Sequence, residues 1–508
     1  MSLNAFERVL ATFMPRTALR NWHARQVLSR LTGYEAANPG RFGRVVRDGR
    51  SPDQLVEQSA TALRSMARHQ ERNHDISRGM LRTMVNNVVG ANGIGIEPQP
   101  RRADGSIHQP YADALRAAFR EWARRPDVTG RHTWPKVQRM MARTWIRDGE
   151  AFAQELIGNV PGLVHGSRVP FSLELIEPDL VPFEYGDGDR ISNGVERNAW
   201  GRPLAYWLWR HFPGDTRGNM FTRSDLKRIS ADAMHHVALL DRIGQTRGVS
   251  EFAAVLRRLD DIKNYEESER IAAQIAAAIT GKVTRGLPED YVAPAPGPDG
   301  RPAPRTFSLA PGQIIDNLAP GEDIELLKSD RPNVNLLGFR QGQLRAAAAG
   351  FGISYSSAAR DYNGTYSAQR QELVEQYVNY AVLVDEFTGM FVAPVWETFV
   401  RMCEVSGAVP RPADVQPGTE DDALFVAQAM PWIDPLKEAE AWVALVRAGF
   451  ASEVEAIRKR GASPRDVVEQ IRAFRADAGD LVFTADARVP ITTGQQAPSA
   501  TPQEPGAQ

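Results

Sequence analysis

Apolar residues first recur at helical spacing over residues 51–89. Ser51-Pro52-Asp53-Gln54 reads as a helix start, with a serine cap, a proline in the first turn and a glutamine three residues after the cap. Leu55, Ala62, Leu63 and Met66 continue it, and Ile76, Met80, Met84, Val85 and Val88 predict a second helix over about 75–89. Gly90-Ala-Asn-Gly93-Ile-Gly95 should cap that helix and turn the chain into a strand. Its G-x-x-G-x-G spacing ends a helix instead of opening one, so it is no dinucleotide fingerprint. From 95 to 245 the period is mixed. Helices around 110–124 and 133–148 alternate with strand-like runs at Ala151–Ile157, Phe171–Ile176, Leu204–Arg210 and Met234–Leu240. Asn198-Ala-Trp-Gly201 fits a turn between two strands, giving a small antiparallel sheet on helices.

Ser250-Glu251 then opens a helix running to about Ile279. Its early seam is Phe252, Val255, Leu259 and Ile262, and its later one Tyr265, Ala272, Ile275 and Ile279, so the seam changes phase midway. A rod of roughly 30 residues, about 45 Å long, with so narrow an apolar stripe is expected to need neighbouring helices. Residues 286–305 form a proline-rich insertion. Short strands are predicted at Gln313–Leu318 and Ile324–Leu327, then a helix over about 336–350. A long helix after Ser367 should reach about 390, with Leu373, Val374, Tyr377, Val378, Ala381 and Val384 inward. The pattern continues over Phe391–Val405, with Pro394 as a kink. Asp434-Pro435, the capping box Ser452-x-x-Glu455 and Ser463-Pro464 open three short helices that close at Gly449, Gly461 and Gly479. Residues 484–508 lack large apolar groups and should be disordered.

At 508 residues the chain exceeds one hydrophobic core, and two to four substructures are expected. A net charge of -1 excludes a protein that coats itself with nucleic acid, so any such contact must be local. Charge is uneven, however. Nine arginines, at 8, 16, 20, 25, 30, 41, 44, 47 and 50, lie in the first fifty residues against Glu7, Glu35 and Asp48. They make either a solvated basic arm or one that seeks an acidic surface or nucleic acid. The single Cys403 excludes a disulfide framework and a cysteine zinc site, and fits a reducing cytosol. No apolar run approaches the ~20 residues of a membrane span, and Met1 to Arg30 lacks a secretory signal, so the expected product is soluble and cytoplasmic when made.

Catalytic patterns are missing from the sequence. There is no G-x-x-x-x-G-K-[ST], no H-E-x-x-H and no G-x-S-x-G. His235-His236 would point to opposite faces of a strand, and His69 and His74 do not share a helical face. Asp260-Asp261 and Glu266-Glu267 read as a solvated helix face, so no catalytic residue, metal site or cofactor is expected. Along 251–270, Arg257, Arg258, Lys263 and Arg270 face Glu251, Asp260, Asp261, Glu266, Glu267 and Glu269. Such a mixed face, with Arg257, Arg258, Asp261 and Lys263 as its candidate contacts, would hold a passing polyanion weakly, because tight phosphate neutralisation needs excess cations. A second candidate is the loop between two helical patterns, with Arg360, Asp361, Tyr362, Asn363, Gly364, Tyr366 and Arg370. Guanidinium and phenol groups without a catalytic constellation suit non-specific contact with a nucleic-acid backbone. They equally suit bracing between subunits, for instance by an Arg370–Asp361 pair.

Several motifs fall in the order of one family. They are Arg72-Asn73 with Val85-Asn-Asn-Val-Val-Gly-Ala-Asn-Gly-Ile94, then Asp148-Gly-Glu150, then Gly194-Val-Glu196 with Gly201-Arg-Pro-Leu-Ala-Tyr-Trp207. Gly244-Gln245-x-Arg247-Gly248, then Asp361 with Tyr366-Ser367 and Arg370, then Asp434-Pro435 complete the set. Together the sequence resembles the lambda-type portal proteins of tailed bacteriophages. The resemblance implies an α+β, mostly helical portal fold that assembles as a ring, with a dodecamer expected. It implies double-stranded DNA passing through the channel, a terminase large subunit that docks on it, the major capsid protein around it, and head-completion or tail adaptor proteins below. The place would be the virion's capsid vertex, after assembly in the host cytoplasm. The parts would be a basic arm (1–50), an α/β wing (51–249), a stem helix (250–283) and a clip with the proline-rich insertion (284–335). A second stem helix with the tunnel loop (336–366), a long wing helix (367–408), a helical crown (409–483) and the tail (484–508) would follow. The rival readings are another phage structural or adaptor protein and a DNA-processing enzyme. The second needs a carboxylate cluster or P-loop that the sequence does not offer.

Overall fold

The computed structural model describes residues 49–188, 190–215, 225–278, 282–285, 322–325, 335–428 and 435–478. The basic arm up to residue 48, the proline-rich insertion, the strand expected at Gln313–Leu318 and the tail from 484 lie outside the described residues. The chain opens with helices α1 (Pro52–Asn73) and α2 (Asp75–Val88). Ser51 caps α1 by accepting from the Gln54 amide at 3.3 Å. His74 sits between the two helices and caps α2 with Nδ1, while its Nε2 reaches the Leu259 carbonyl at 3.1 Å. Gly90 and Gly93 both adopt positive φ before strand β1 (Gly95–Pro98), as the cap-and-turn reading requires.

Helices α3 (Gln109–Trp122) and α4 (Trp134–Asp148) lead into β2 (Glu150–Ile157), β3 (Phe171–Ile176), β4 (Ile191–Ser192), β5 (Val195–Arg197), β6 (Pro203–Trp209), β7 (Leu226–Ser230) and β8 (Met234–Ala238). These form two antiparallel sheets, in the orders β3-β2-β8 and β4-β5-β6-β7. The Asn198–Gly201 turn does join β5 to β6, with a register shift at Glu196/Arg197. The aromatic residues Phe119, Trp122, Trp134, Phe171, Phe391, Trp396 and Phe399 pack together in the main core where helices meet the three-stranded sheet. Their burial is a large apolar contribution to the fold.

A 3-10 turn (Glu251–Ala254) and helix α5 (Leu256–Ala278) follow, then β9 (Lys282–Arg285) paired antiparallel with β10 (Glu322–Glu325). Helix α5 corrects one expectation. Its first seam, Phe252, Val255, Leu259 and Ile262, is buried in the chain's own core together with Leu256. Only beyond Ile262 does the rod emerge, where Tyr265 meets Phe339 at 5.0 Å between ring centroids. The phase change in the seam marks that exit from the core.

Helices α6 (Leu336–Gly350), α7 (Tyr355–Ala359) and α8 (Tyr366–Phe387) come next. The inward face expected of α8 is corrected in part. Tyr377 and Val384 pack on the main core as expected, but Gln376, Tyr380 and Phe387 are the buried residues, whereas Val374, Val378 and Ala381 face outward. The buried polar face is satisfied locally: Ser357 donates to Gln376 Oε1 at 3.1 Å, and Asn379 Nδ2 donates to the Gly352 carbonyl at 2.8 Å. At Pro394 the helical run continues but changes its hydrogen bonding. A single π turn (Thr388–Val392) precedes α9 (Ala393–Val405), with the Ala393 amide donating to the Thr388 carbonyl, and Pro394 occupies the first turn of α9. Strand β11 (Ala423–Val426) pairs back to β1, and α10 (Pro435–Arg447), α11 (Glu453–Lys459) and α12 (Pro464–Ala478) finish the described chain. The last three helices contain no buried residue in α10 or α11 and contribute nothing to the main core.

Candidate functional site

The loop between α7 and α8 is tied at its base and open at its tip. Arg360 ends α7 in the left-handed region (φ 56, ψ 32) and turns its guanidinium toward α2, where Nη2 donates to Thr83 Oγ1 at 3.3 Å. Asp361 accepts from the Asn363 amide (3.3 Å), from Asn363 Nδ2 (2.8 Å) and from the Tyr355 hydroxyl (3.2 Å), an Asx-type knot. Gln369 donates to the Tyr362 carbonyl, and Thr365 caps α8 through the Ala368 amide at 3.4 Å. Gly364 is exposed, and the rings of Tyr362 and Tyr366 are more than half exposed. Arg370 is exposed on the first turns of α8, and among the described residues it has no partner. The candidate residues of the loop thus separate. Tyr362 and Arg370 project, and Arg360 braces the chain's own α2.

The candidate stem face separates too. Arg258 Nη1 donates to Gln343 Oε1 on α6 at 2.7 Å, joining the two long helices. Lys263 Nζ donates at 2.8 Å to the carbonyl of Asn73, the last residue of α1, where a cation also complements the helix dipole. Arg340 pairs with Glu266 across the same seam. Arg257 and Asp261 remain exposed one turn apart. Half of the four candidate contacts therefore hold α5 in place.

A third cluster was not singled out by sequence reasoning as a site. Glu150 is fully buried and receives Arg247 Nη2 at 2.6 Å and Nε at 2.8 Å, Arg64 Nη2 at 2.9 Å and the Gly248 amide at 3.1 Å. His236 Nε2 bonds to its second oxygen at 3.1 Å. Arg247 is itself buried, donates to the carbonyls of Asn193 and Val181, and lies 4.2 Å over the Phe183 ring. Beside it, Asp148 is held by Arg68 (2.8 Å) and Arg147 (2.7 Å), and Glu71 by Arg143 and Arg147. Burial alone would raise the Glu150 carboxyl. Arg247, the His236 bond and Arg64 outweigh it and keep the group far below the usual carboxylate range. Burial lowers His236 despite its bond to Glu150, so the ring is held neutral. Gly149 and Gly248 let two backbones cross here. Gly149 has φ 92, and a Cβ on it would stand 2.3 Å from the Val249 carbonyl carbon, while one on Gly248 would stand 2.0 Å from the Gly149 oxygen. His235, on the other face of β8, bonds to Glu155 at 2.7 Å, so the histidine pair is structural on both faces. The sequence signal was present in Asp148-Gly-Glu150 and Arg247-Gly248, but nothing local says that the two motifs touch.

These arrangements position backbone and offer weak contacts, and no chemistry of bond making follows from them. Among the described residues no group of three or more His, Cys, Asp or Glu side chains could hold a metal ion. Comparison with known proteins shows the family of the chain. Residues 38–383 match the model of the family described as phage portal protein, lambda family. The chain belongs to that family. It is similar to a probable portal protein of Halomonas phage phiHAP-1, 26% identical over 441 residues, covering 82% of this chain and 81% of that one. It is also similar to portal protein B of Escherichia phage lambda, 23% identical over 498 residues, covering 87% and 89% respectively. Among solved structures, a chain in the neck of an empty GTA particle overlaps 86% of this chain and 99% of its own length, with 13% identity and a TM-score of 0.44.

As a member of the lambda portal family, the protein is a structural part of a phage head and not an enzyme. It acts as a ring at a capsid vertex. Among the described residues no helix is long and apolar enough to cross a membrane.

Proposed function

We propose that the ring, a dodecamer, is a passive conduit for double-stranded DNA, packaged inward by a terminase and released outward at infection. The terminase large subunit, and later the head-completion and tail adaptor proteins, dock on the clip at 284–335. The major capsid protein surrounds the wing, built from 51–249 and 367–408. The stem comprises 250–283 and the first part of 336–366, and the crown covers 409–483. The ring assembles in the host cytoplasm before it becomes part of the virion.

The observation that carries this reading is the tunnel loop, with its base knotted by Asp361 and its tip presenting Arg370, Tyr362 and Tyr366. A sliding polyanion needs a wall that touches without gripping, because each added phosphate contact strengthens binding and its salt dependence. The mixed stem face meets that need. Lys263 is engaged with Asn73, and the exposed Arg257 is offset by Asp261. The bracing alternative, an Arg370–Asp361 pair between subunits, is weakened because Asp361 already accepts three hydrogen bonds inside its own loop.

The test is assembly of particles carrying Arg370→Ala, alone and with Tyr362→Ala. Rings should form normally, and packaged DNA should be shorter or leak after packaging. Full-length, stably retained genomes in both variants would refute the DNA role of the loop. Lost rings would support bracing instead.

A further inference from the structure

The outward side of α8 carries Val374, Val378 and Val382, which are 43%, 64% and 54% exposed. β-Branched residues are poor choices for a solvated helix face, since they lower helix propensity and gain nothing there. Their spacing of four makes one continuous ridge about 12 Å long, the kind of row that seats in the groove of another helix. The ridge is bordered by exposed Glu375, Asp385 and Glu386, and the chain offers none of them an ion pair among the described residues.

Helix α12 presents the complementary surface. Val468 and Ile471, three residues apart, are exposed, with Arg472 and Arg475 each one turn further on. The acidic residues of α12 nearest the row are engaged elsewhere: Asp466 with Arg120 at 2.8 Å and Glu469 with Arg465 at 3.3 Å. That leaves Arg472 and Arg475 as the cations beside it, with Asp477 beyond its end. Arg465 also reaches Asp113 at 3.0 Å, so α12 is bolted to its own wing and its outward side has a fixed direction.

We propose that the α8 ridge of one copy is covered by the α12 face of the next copy, with Val378 against Ile471 and Glu386 beside Arg475. Two different patches on one chain make a heterologous contact, which repeats head to tail and closes a ring. This inference rests on the ring reading and names its wing-to-crown interface.

The test uses full-length proteins, with mass from light scattering and shape from negative-stain images. Val378→Glu and Ile471→Glu should each lower the ring fraction about tenfold, as expected when a charge is forced into an apolar contact. Glu386→Arg and Arg475→Glu touch no core residue and should each weaken rings when alone. An equimolar mixture of those two proteins should restore rings, because alternating copies again place opposite charges at every joint. Folded variants that form rings as the unaltered protein does would overturn the interface. So would separately defective proteins whose mixture stays unassembled. Unaltered protein that never forms rings would instead overturn the ring reading beneath it.

Discussion

The Glu150 node and the tunnel loop hold comparable numbers of charged groups and use them in opposite ways. At the node two arginines, a histidine and a backbone amide converge on one buried carboxylate, so every charge has a partner before the ring exists. In the loop only the base is satisfied, and Arg370 stands in solvent. Buried charges are costly unless fully paired, and once paired they fix geometry. Exposed charges contribute little to stability and remain available to a partner. The difference separates a part that is fixed within the subunit from a part left open to a partner. The node joins α1, β2, β8 and the segment that leads into α5, so it fixes the angle at which α5 leaves the sheet.

The comparison breaks most directly by emptying the node. Glu150→Ala leaves Arg247 buried without its anion and Arg64 with only Asp179 at 3.7 Å, and should lower stability by about 3–5 kcal/mol. Equilibrium denaturation would show this, or failure to recover folded protein. Arg247→Ala should act similarly, with loss of the stacking on Phe183 added. A loss under 1 kcal/mol in both would mean that the node is not the fixed part. Gly248→Ala probes the same joint through the backbone, and its Cβ cannot be placed without moving the D-G-E turn.

Acid sharpens the contrast with a predictable sign. His236 has a folded pKa below its ordinary value, so the unfolded chain binds the extra proton first. Its contribution is complete above about pH 6.5 and is lost as pH falls below that value. Glu150 and Asp148, also lowered, add a second loss below about pH 4, the ordinary carboxylate range. Glu251 opposes the upper loss, because burial pushes its carboxyl up to about 7 and the folded chain takes that proton first. Melting temperature should therefore fall clearly below about pH 4, and His236→Gln should make the change between about pH 7 and pH 5 less destabilising than in the unaltered protein.

How much of this was legible in the sequence follows the range of the interactions. Ser51, Ser452, Pro435 and Pro464 announced their helices because capping chemistry is local, and Ser452 does accept from the Glu455 amide at 3.1 Å. The phase change in the stem seam was visible, but its cause, the exit of α5 from the core after Ile262, was not. The node was illegible because its partners are 86 and 97 residues apart, and spacing along the chain says nothing about such pairs. The face of α8 was read in part: Tyr377 and Val384 do pack on the core, but Tyr380 and Gln376 are buried beside them, and Val374 and Val378 lie exposed. In the loop, the residue types were read correctly but not their directions, since nothing in Arg360-Asp-Tyr marks Thr83 as the partner of Arg360.

Intermediate effects belong to the joint between α12 or α11 and the wing. Arg458 reaches Glu97, which is nearly buried, at 2.8 Å, and Arg458→Ala should cost about 1–3 kcal/mol because it strands that acid. The rim pairs Arg120–Asp466 and Arg465–Asp113 are each worth about 0.2–1 kcal/mol and should weaken with salt. Limited proteolysis of residues 435–478 at rising ionic strength measures that ladder. Salt-independent cleavage would show that something other than charge holds these helices down.

The smallest effect on stability is expected where the functional effect is clearest. Arg360→Ala removes one long, half-buried hydrogen bond to Thr83 and should cost about 0.5 kcal/mol, the low end of what such a bond contributes. Arg370→Ala removes nothing the subunit uses, so its melting curve should overlay that of the unaltered protein. If Arg370 touches passing phosphates, retention of packaged DNA in particles should fall while stability stays fixed, and the difference from the unaltered protein should narrow as salt rises, because the contact that was removed is itself screened. If it braces subunits instead, ring stability to dilution should fall and DNA retention should follow only as rings are lost. The ordering of those two losses, read from the same preparation, tells a surface that contacts DNA from one that merely supports the ring.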